Sequence, residues 1–437
     1  MPPTAAMHGT DSPARFGADR FGPARPRFAA AAVLAAGTAL VLAGCSGQTG
    51  NARVDAVDAG GDGILRIGLL LDNTGKQSFL NASQLAAAKL AVQEINAAGG
   101  HKGRPVQLLP ENISEDTTSQ AKDLVAAGAD VVIGPTDSSR APGAIDVLSR
   151  ARVAIISPAN TAHGLTHYRS GGYYFRTSAA DTAQAPVLVK LAKDSGARTI
   201  AIVHEDGMYG KDVSVAVAAA AKAAGLGTVA EAAFTAGQAQ KTAAAVKAAG
   251  PDSVILVARA GAQGAIAELN NAGVAGSKLI LSDGAINQYG SALGSKALDG
   301  ARGILPGVFP SAHFQGELVA VDPGLKDMTF AAETYDAANL AAIAAAAAQD
   351  DAGSSIAAKL IAVSGQHGAE AVEPCRSYKE CGDAIKAGKP ADYDGESGPI
   401  GFDFNGDVTT ANYMVFTYAA DNTPRMSGSE TAARPGR

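Results

Sequence analysis

With 437 residues the chain is long enough for two domains with separate cores. A net charge of −6 with 47% apolar residues is no nucleic-acid footprint, and 5% aromatics with no Trp excludes a carbohydrate platform of stacked indoles. Residues 1–44 read as a targeting segment. Arg15, Arg20, Arg25 and Arg27 precede an apolar run from Phe28 to Ala43 that is short for a membrane span. The run ends in Leu42-Ala43-Gly44-Cys45, small residues directly before a Cys, as in a bacterial lipobox. Cys45 is therefore the expected lipidation site and first mature residue. Residues 45–63 are rich in Gly, Asp and Ala and read as a flexible tether, and 425–437 as a disordered tail.

Between these ends strands and helices alternate. "ILRIGLLL" from Ile64 is a nearly continuous apolar strand. A helix follows in "ASQLAAAKLAVQEINAAGG", with Leu85, Ala88, Val92 and Ile95 on one face and a Gly99-Gly100 stop. "PVQLL", "ADVVIGP" and "VAIISPA" are further strands, separated by helices in "TSQAKDLVAAG" and "APGAIDVLSRA". The pattern restarts with the strand "TIAIVHED", a helix from Tyr209 to about Ala224, the strand "SVILVAR", the helix "QGAIAELNNAG" and the strand "KLILSDG". An Ala-rich helix covers Tyr335 to Ala348, and Asn405-Gly406 predicts a type I′ hairpin turn. Continuous apolar strands between amphipathic helices indicate parallel sheets covered on both faces, here in two α/β lobes.

Cys375 and Cys381 have five residues between them and, outside the cytoplasm, are expected to form a disulfide. A metal site is the weaker reading, with His367 well upstream and no further Cys near. Asp403, Asn405 and Asp407 begin like a calcium loop, but Val408 and Met414 stand where Gly and Glu are required. His163 and His167 lack the Glu of a zinc-protease helix, and there is no nucleophile elbow or P-loop. No catalytic set, metal or cofactor is expected. "AIISPANTA" stops abruptly in Ser157-Pro158-Ala159-Asn160-Thr161, a loop that offers amides and hydroxyls at a strand's carboxyl end. That is where open α/β sheets bind ligands; a locally capped turn is the plain alternative.

In order, "IGLLLDNTG", "VVIGPTDSS", "AIISPANTA", "YFRTSAADTAQA", "AIVHEDGMYG", "TYDAANLAAIAAA" and "GPIGFDFNGDV" resemble type I periplasmic binding proteins, especially the leucine/isoleucine/valine-binding group of ABC importers. The resemblance runs from about Ile64 to Tyr418. It implies two Rossmann-like lobes with mostly parallel sheets, joined by a three-segment hinge. Lobe 1 would be 64–183 with 309–409, and lobe 2 184–308 with 410–423. It also implies site residues. Ser138 (hydroxyl), Ala159 (amide) and Thr161 (amide and hydroxyl) would hold a ligand carboxylate, at about 1.5–3 kcal/mol for each charge-assisted bond. Tyr209 would touch the ligand, Asp283 would pair with its ammonium, and Phe79 or Leu80 would cover its side chain. Tyr209 as hinge packing and Asp283 as a helix N-cap are the alternatives.

Two departures bear on the ligand. The aromatic residue that the family carries after "VILVA" is replaced by Arg259-Ala260-Gly261, and Arg140 follows Ser138-Ser139. The resulting expectation is a non-enzymatic extracytoplasmic lipoprotein, held to the membrane through Cys45. It binds a small amino acid (branched-chain type) or organic acid and passes it to an ABC permease, with no nucleic-acid partner. A binding protein coupled to a membrane sensor, or an enzyme on the same scaffold, would share the pattern.

Overall fold

The computed structural model describes residues 53–71, 73–294, 296–365 and 372–433. Cys45 and the expected targeting segment lie outside them. The first sheet is built from β1 (Arg66–Leu69), β2 (Gln107–Leu108), β3 (Val131–Ile133), β4 (Ala154–Ser157) and β5 (Tyr174–Arg176). It is parallel throughout, in the order β2-β1-β3-β4-β5. Its helices in chain order are α1 (Asn81–Ala97), α2 (Thr117–Ala126) and α3 (Ala141–Arg150).

The second unit contributes α4 (Ala185–Asp194), α5 (Met208–Ala223), α6 (Gln240–Ala249) and α7 (Ala262–Asn271) around β6 (Thr199–Glu205), β7 (Gly227–Phe234), β8 (Ser253–Val257), β9 (Leu279–Leu281) and β10 (Arg302–Pro306). The chain then returns to the first lobe for α8 (Ala312–Val321), α9 (Ala331–Ala348), α10 (Gly353–Val363), α11 (Tyr378–Lys386) and a small pair, β11 (Asp394–Gly395) and β12 (Gly398–Pro399). It ends on the second sheet with β13 (Thr410–Tyr418) and β14 (Pro424–Ala433), giving the order β14-β13-β10-β9-β8-β6-β7. The last two strands are antiparallel additions.

The period of two in each strand sends side chains to opposite faces. Val131, Ile133, Ala154 and Ile156 join α1 and α9 in one core, while Val132 and Ile155 join α2 and α3 in another. In lobe 2, Ile200, Ile202, Ile255 and Val257 meet α4 and α5, and Ala201, Val203, Val254 and Leu256 meet α6 and α7. Fully burying each Val or Ile contributes roughly 1.5–3 kcal/mol. The expected Ala-rich helix begins at Ala331, and Cys375 and Cys381 are bridged, with Cα atoms 5.3 Å apart. No helix among the described residues is long and apolar enough to cross a membrane.

Three expectations are corrected. Residues 53–63 are docked on lobe 1 rather than flexible. Arg53 donates to Tyr174 O at 2.8 Å and lies 4.7 Å over the Phe175 ring, while Gly61 and Gly63 donate to Asp350 and Asp351 at 3.1 and 2.9 Å. Residues 425–433 are not a disordered tail: β14 takes up the free edge of β13, and backbone pairing needs few large side chains. At Asn405-Gly406 only the glycine takes a positive φ, 80°, and its N–H donates to Asp403 O at 2.9 Å. The Asp403 carboxylate accepts the amides of Asn405 and Asp407 at 2.7 and 3.1 Å, and this local bonding replaces the type I′ geometry. A Cβ at Gly406 would come within 2.5 Å of Tyr174 O, so the close approach requires glycine.

That turn carries Asp407 to Arg176 at the end of β5. Arg176 Nε and Nη2 meet Asp407 Oδ1 and Oδ2 at 2.7 and 3.0 Å, and the two side chains are 0% and 3% exposed. Arg176 Nη1 reaches the carbonyls of Asn160 and Ala162 at 3.2 and 2.9 Å. A buried pair of this kind is costly to break on one side. Asp407→Ala, which leaves the guanidinium uncompensated, is expected to lower unfolding free energy by about 3–5 kcal/mol in urea denaturation; a loss below about 1 kcal/mol would contradict the assignment.

Candidate functional site

β3 and β4 are adjacent parallel strands, so the loops after them share one lip of lobe 1. Ser157, fully buried, donates to Pro135 O at 2.7 Å and accepts the amides of Ala159 and Asn160 at 3.4 and 3.0 Å. Ser138 Oγ accepts the amides of Thr161 and Ala162 at 3.2 and 3.3 Å. Ser138, Ala159 and Thr161 are thus brought together. The amides expected to face a ligand are held by serine hydroxyls at distances long enough to make weak bonds. The N-terminus of α3, ten residues long, stands just beyond Ser138 and favours negative charge there. Arg140 lies 3.9 Å from Asp137 on the same lip.

From Thr161 a chain of contacts runs into lobe 2. Asp181 N–H donates to Thr161 O at 2.7 Å, and the Asp181 carboxylate also bonds the Thr161 side chain. Arg259 Nη2 lies 3.3 Å from Asp181, and its guanidinium stands 4.0 Å over the Tyr209 ring. The Arg259 amide is pinned by Glu205 Oε2 at 2.7 Å, and Gly284 lets its stem lie flat, since a Cβ there would meet Arg259 Cγ at 2.6 Å. Arg259 is half exposed, so this pair is worth little as a clamp.

Tyr209, in the first turn of α5, hydrogen-bonds Asp283 Oδ1 and lies 2.9 Å from Ser282 Oγ. Gln184 Nε2 donates to the same Asp283 oxygen at 2.7 Å, and Gln184 Oε1 accepts the Asp283 amide at 3.2 Å. Both side-chain bonds fall on Oδ1. The Asp283 side chain does not cap the short helix Asp283–Ala285, whose N-cap is Ser282. Burial, then the Asp283 charge, pushes the Tyr209 hydroxyl well above its ordinary range, so Tyr209 acts as a donor.

Asp283 also edges a cavity of about 520 Å³, within the range of small-molecule sites. Its apolar wall includes Leu305, Val308, Met328, Phe330 and Phe416. Phe330 precedes α9 in a left-handed conformation (φ 58°). Neither Phe79 nor Leu80 lines this cavity: Phe79 is 61% exposed on the surface, and Leu80 is 6% exposed where the 3-10 helix Gly75–Leu80 runs into α1. The sequence reading missed Phe330, Asp181 and Gln184. The last two stand in the quoted "YFRTSAADTAQA", whereas nothing in the local sequence marks Phe330.

Residues 64–420 match the family model described as "Periplasmic binding protein", and the chain belongs to that family. Over 177 residues it is 34% identical to the Leu/Ile/Val-binding protein BraC3 of Rhizobium johnstonii, covering 40% of this chain and 48% of that one. Over 172 residues it is 31% identical to the leucine-, isoleucine-, valine-, threonine- and alanine-binding protein of Pseudomonas aeruginosa, covering 37% and 44%. The chain therefore spans about half the length of the curated relatives it matches. A branched-chain amino acid transporter substrate-binding protein from Streptococcus pneumoniae, solved with isoleucine, superposes with a TM-score of 0.57 at 22% identity, covering 85% of this chain and 99% of that one. A solute-binding protein from R. palustris, solved with benzoate, gives 0.56 at 19%, covering 85% and 97%. At these identities the likeness is one of fold: two Rossmann-like lobes of the type I periplasmic binding class.

The electrostatics of the mouth can be tested through Asp181. Burial, then the neighbouring Asp283, pushes its carboxyl up to about 6. Between its ordinary value and that one, the folded state holds a proton that the unfolded chain has released. Asp181 therefore favours folding at acid pH, and this contribution falls away as pH rises through about 6. Asp181→Asn is expected to gain stability relative to wild type between pH 4 and pH 7 in urea denaturation. A difference that is flat across that window would contradict the placement.

Proposed function

We propose that the protein is an extracytoplasmic solute-binding lipoprotein that closes on a small amino acid, of branched-chain type, or a related organic acid and delivers it to an ABC permease. The supporting observation is Asp283: one oxygen is held by Tyr209 and Gln184, and the residue edges an apolar cavity. A carboxylate in this position suits an ammonium, because a buried charge needs an opposite partner. On this reading the solute's own carboxylate would take the amides of Ala159 and Thr161 from the serine hydroxyls, with Ser138 as a further donor. Its apolar part would enter the cavity beside Phe330. Contact with both lobes at once would favour the closed form, since a ligand shifts a hinge equilibrium only by differential affinity.

The cysteine expected to be lipidated, Cys45, would hold the protein at the outer face of the membrane. Related folds hold isoleucine or benzoate, and the acid at Asp283 favours the zwitterion over the plain carboxylate. Thermal and urea unfolding with L-leucine, L-isoleucine and benzoate separate the two. At a hundred times its dissociation constant the true solute adds about 2.7 kcal/mol. Asp283→Ala is expected to abolish the gain from amino acids. Stabilisation by benzoate and not by any amino acid would reject the zwitterion.

A further inference from the structure

Glu333 is an acid without a cation. It sits in the first turn of α9 at 8% exposure, and the groups acting on its carboxyl are its own amide and Asp336. No described lysine, arginine or histidine pairs with it, although Lys326 lies on the wall of the same cavity. Glu333 lines the cavity that Asp283 edges. Its Oε1 stands against the hinge, where a Cβ at Gly307 would come within 3.0 Å. Burial keeps the carboxyl near neutrality, pushed up to about 7.

An acid at this helix position gains from the helix N-terminus, but it would gain as much on the solvent side. Placed in an apolar cavity it loses hydration, and only a hydrogen-bond donor restores the balance. The remaining wall suits a bulky apolar body: Leu305, Val308, Phe330 and Phe416, with Met328, Met414 and Met426 as deformable filler. Three of the six methionines in the chain are spent here.

We propose that Glu333 sets specificity, receiving an O–H or N–H donor at the far end of the solute's apolar side chain. This rests on the amino-acid reading above, with the ammonium on Asp283 and the side chain in the cavity. The solute class is then an amino acid whose apolar side chain ends in a donor, which keeps the amino-acid part of that reading and replaces its branched-chain part. A site that hydrogen-bonds such a group discriminates strongly against the analogue that lacks it.

Calorimetric titration of two matched pairs tests this: L-tyrosine against L-phenylalanine, and L-lysine against L-norleucine, with L-leucine as reference. Wild type is expected to bind the donor-bearing member of at least one pair tenfold or more tighter. E333L should erase that preference while still binding the apolar member, and E333Q, which keeps an acceptor, should retain part of it. Equal or reversed preference in both pairs, with leucine or the apolar members bound, overturns the role of Glu333 and leaves the amino-acid reading standing. A preference undiminished in E333L also overturns it; if E333L does not fold, an undiminished preference in E333Q does so. Absence of binding by all five solutes overturns the inference together with the reading beneath it.

Discussion

One guanidinium, that of Arg176, holds the site to the hinge. It ends β5 in lobe 1, grips Asp407 in the segment just before the third crossing, and ties down the carbonyls of Asn160 and Ala162. Thr166 Oγ1 closes the group, donating to Asp407 at 2.8 Å and accepting from Arg176 at 2.7 Å. The loop whose amides form the lip is therefore tied through two of its carbonyls to a buried ion pair. It is oriented by the same buried charges that fix where the chain leaves one lobe for the other. Full burial makes the arrangement demanding, because every polar atom must find its partner at once.

From that anchor the mouth is a graded series of charges. The lobe 1 lip offers amides, hydroxyls and a helix N-terminus, all suited to an anion. Across it stand Asp181, paired with Arg259, and Asp283, held by Tyr209 and Gln184. The two sides are linked through Asp181, whose amide is bonded to Thr161 in lobe 1 and whose carboxylate meets Arg259 in lobe 2. Asp283 also edges the apolar cavity, whose lining does not include Ser138, Ala159, Thr161 or Tyr209.

Much of this architecture was legible because parallel strands buried on both faces must be continuous apolar runs. "VVI", "AIIS" and "SVILV" carried that signal directly, and small polar residues after them marked the strand ends. β14 was not legible: "PRMSGSETAA" has no alternation of large residues and owes its place to the edge of β13. The segment 53–63 has the composition of a linker, yet its amides are taken by Asp350 and Asp351, nearly three hundred residues away. The same distance hid the partnership of Arg176 with Asp407, separated by 231 positions. Ser138, Ala159 and Thr161 were placed through family resemblance, and they do lie together. Phe330 and Glu333 were not picked out because their place on the cavity wall depends on where α9 begins relative to the hinge, which no local pattern encodes.

On the proposed reading the Arg176–Asp407 pair positions the lip for binding, beyond its part in stability. Calorimetry on Asp407→Asn, at a temperature where circular dichroism shows the variant folded, measures it with whichever solute stabilises the wild type. Loosening the loop from Asn160 to Ala162 should weaken binding at least tenfold without changing the stoichiometry. Wild-type affinity in the folded variant would show that the pair does not position the lip.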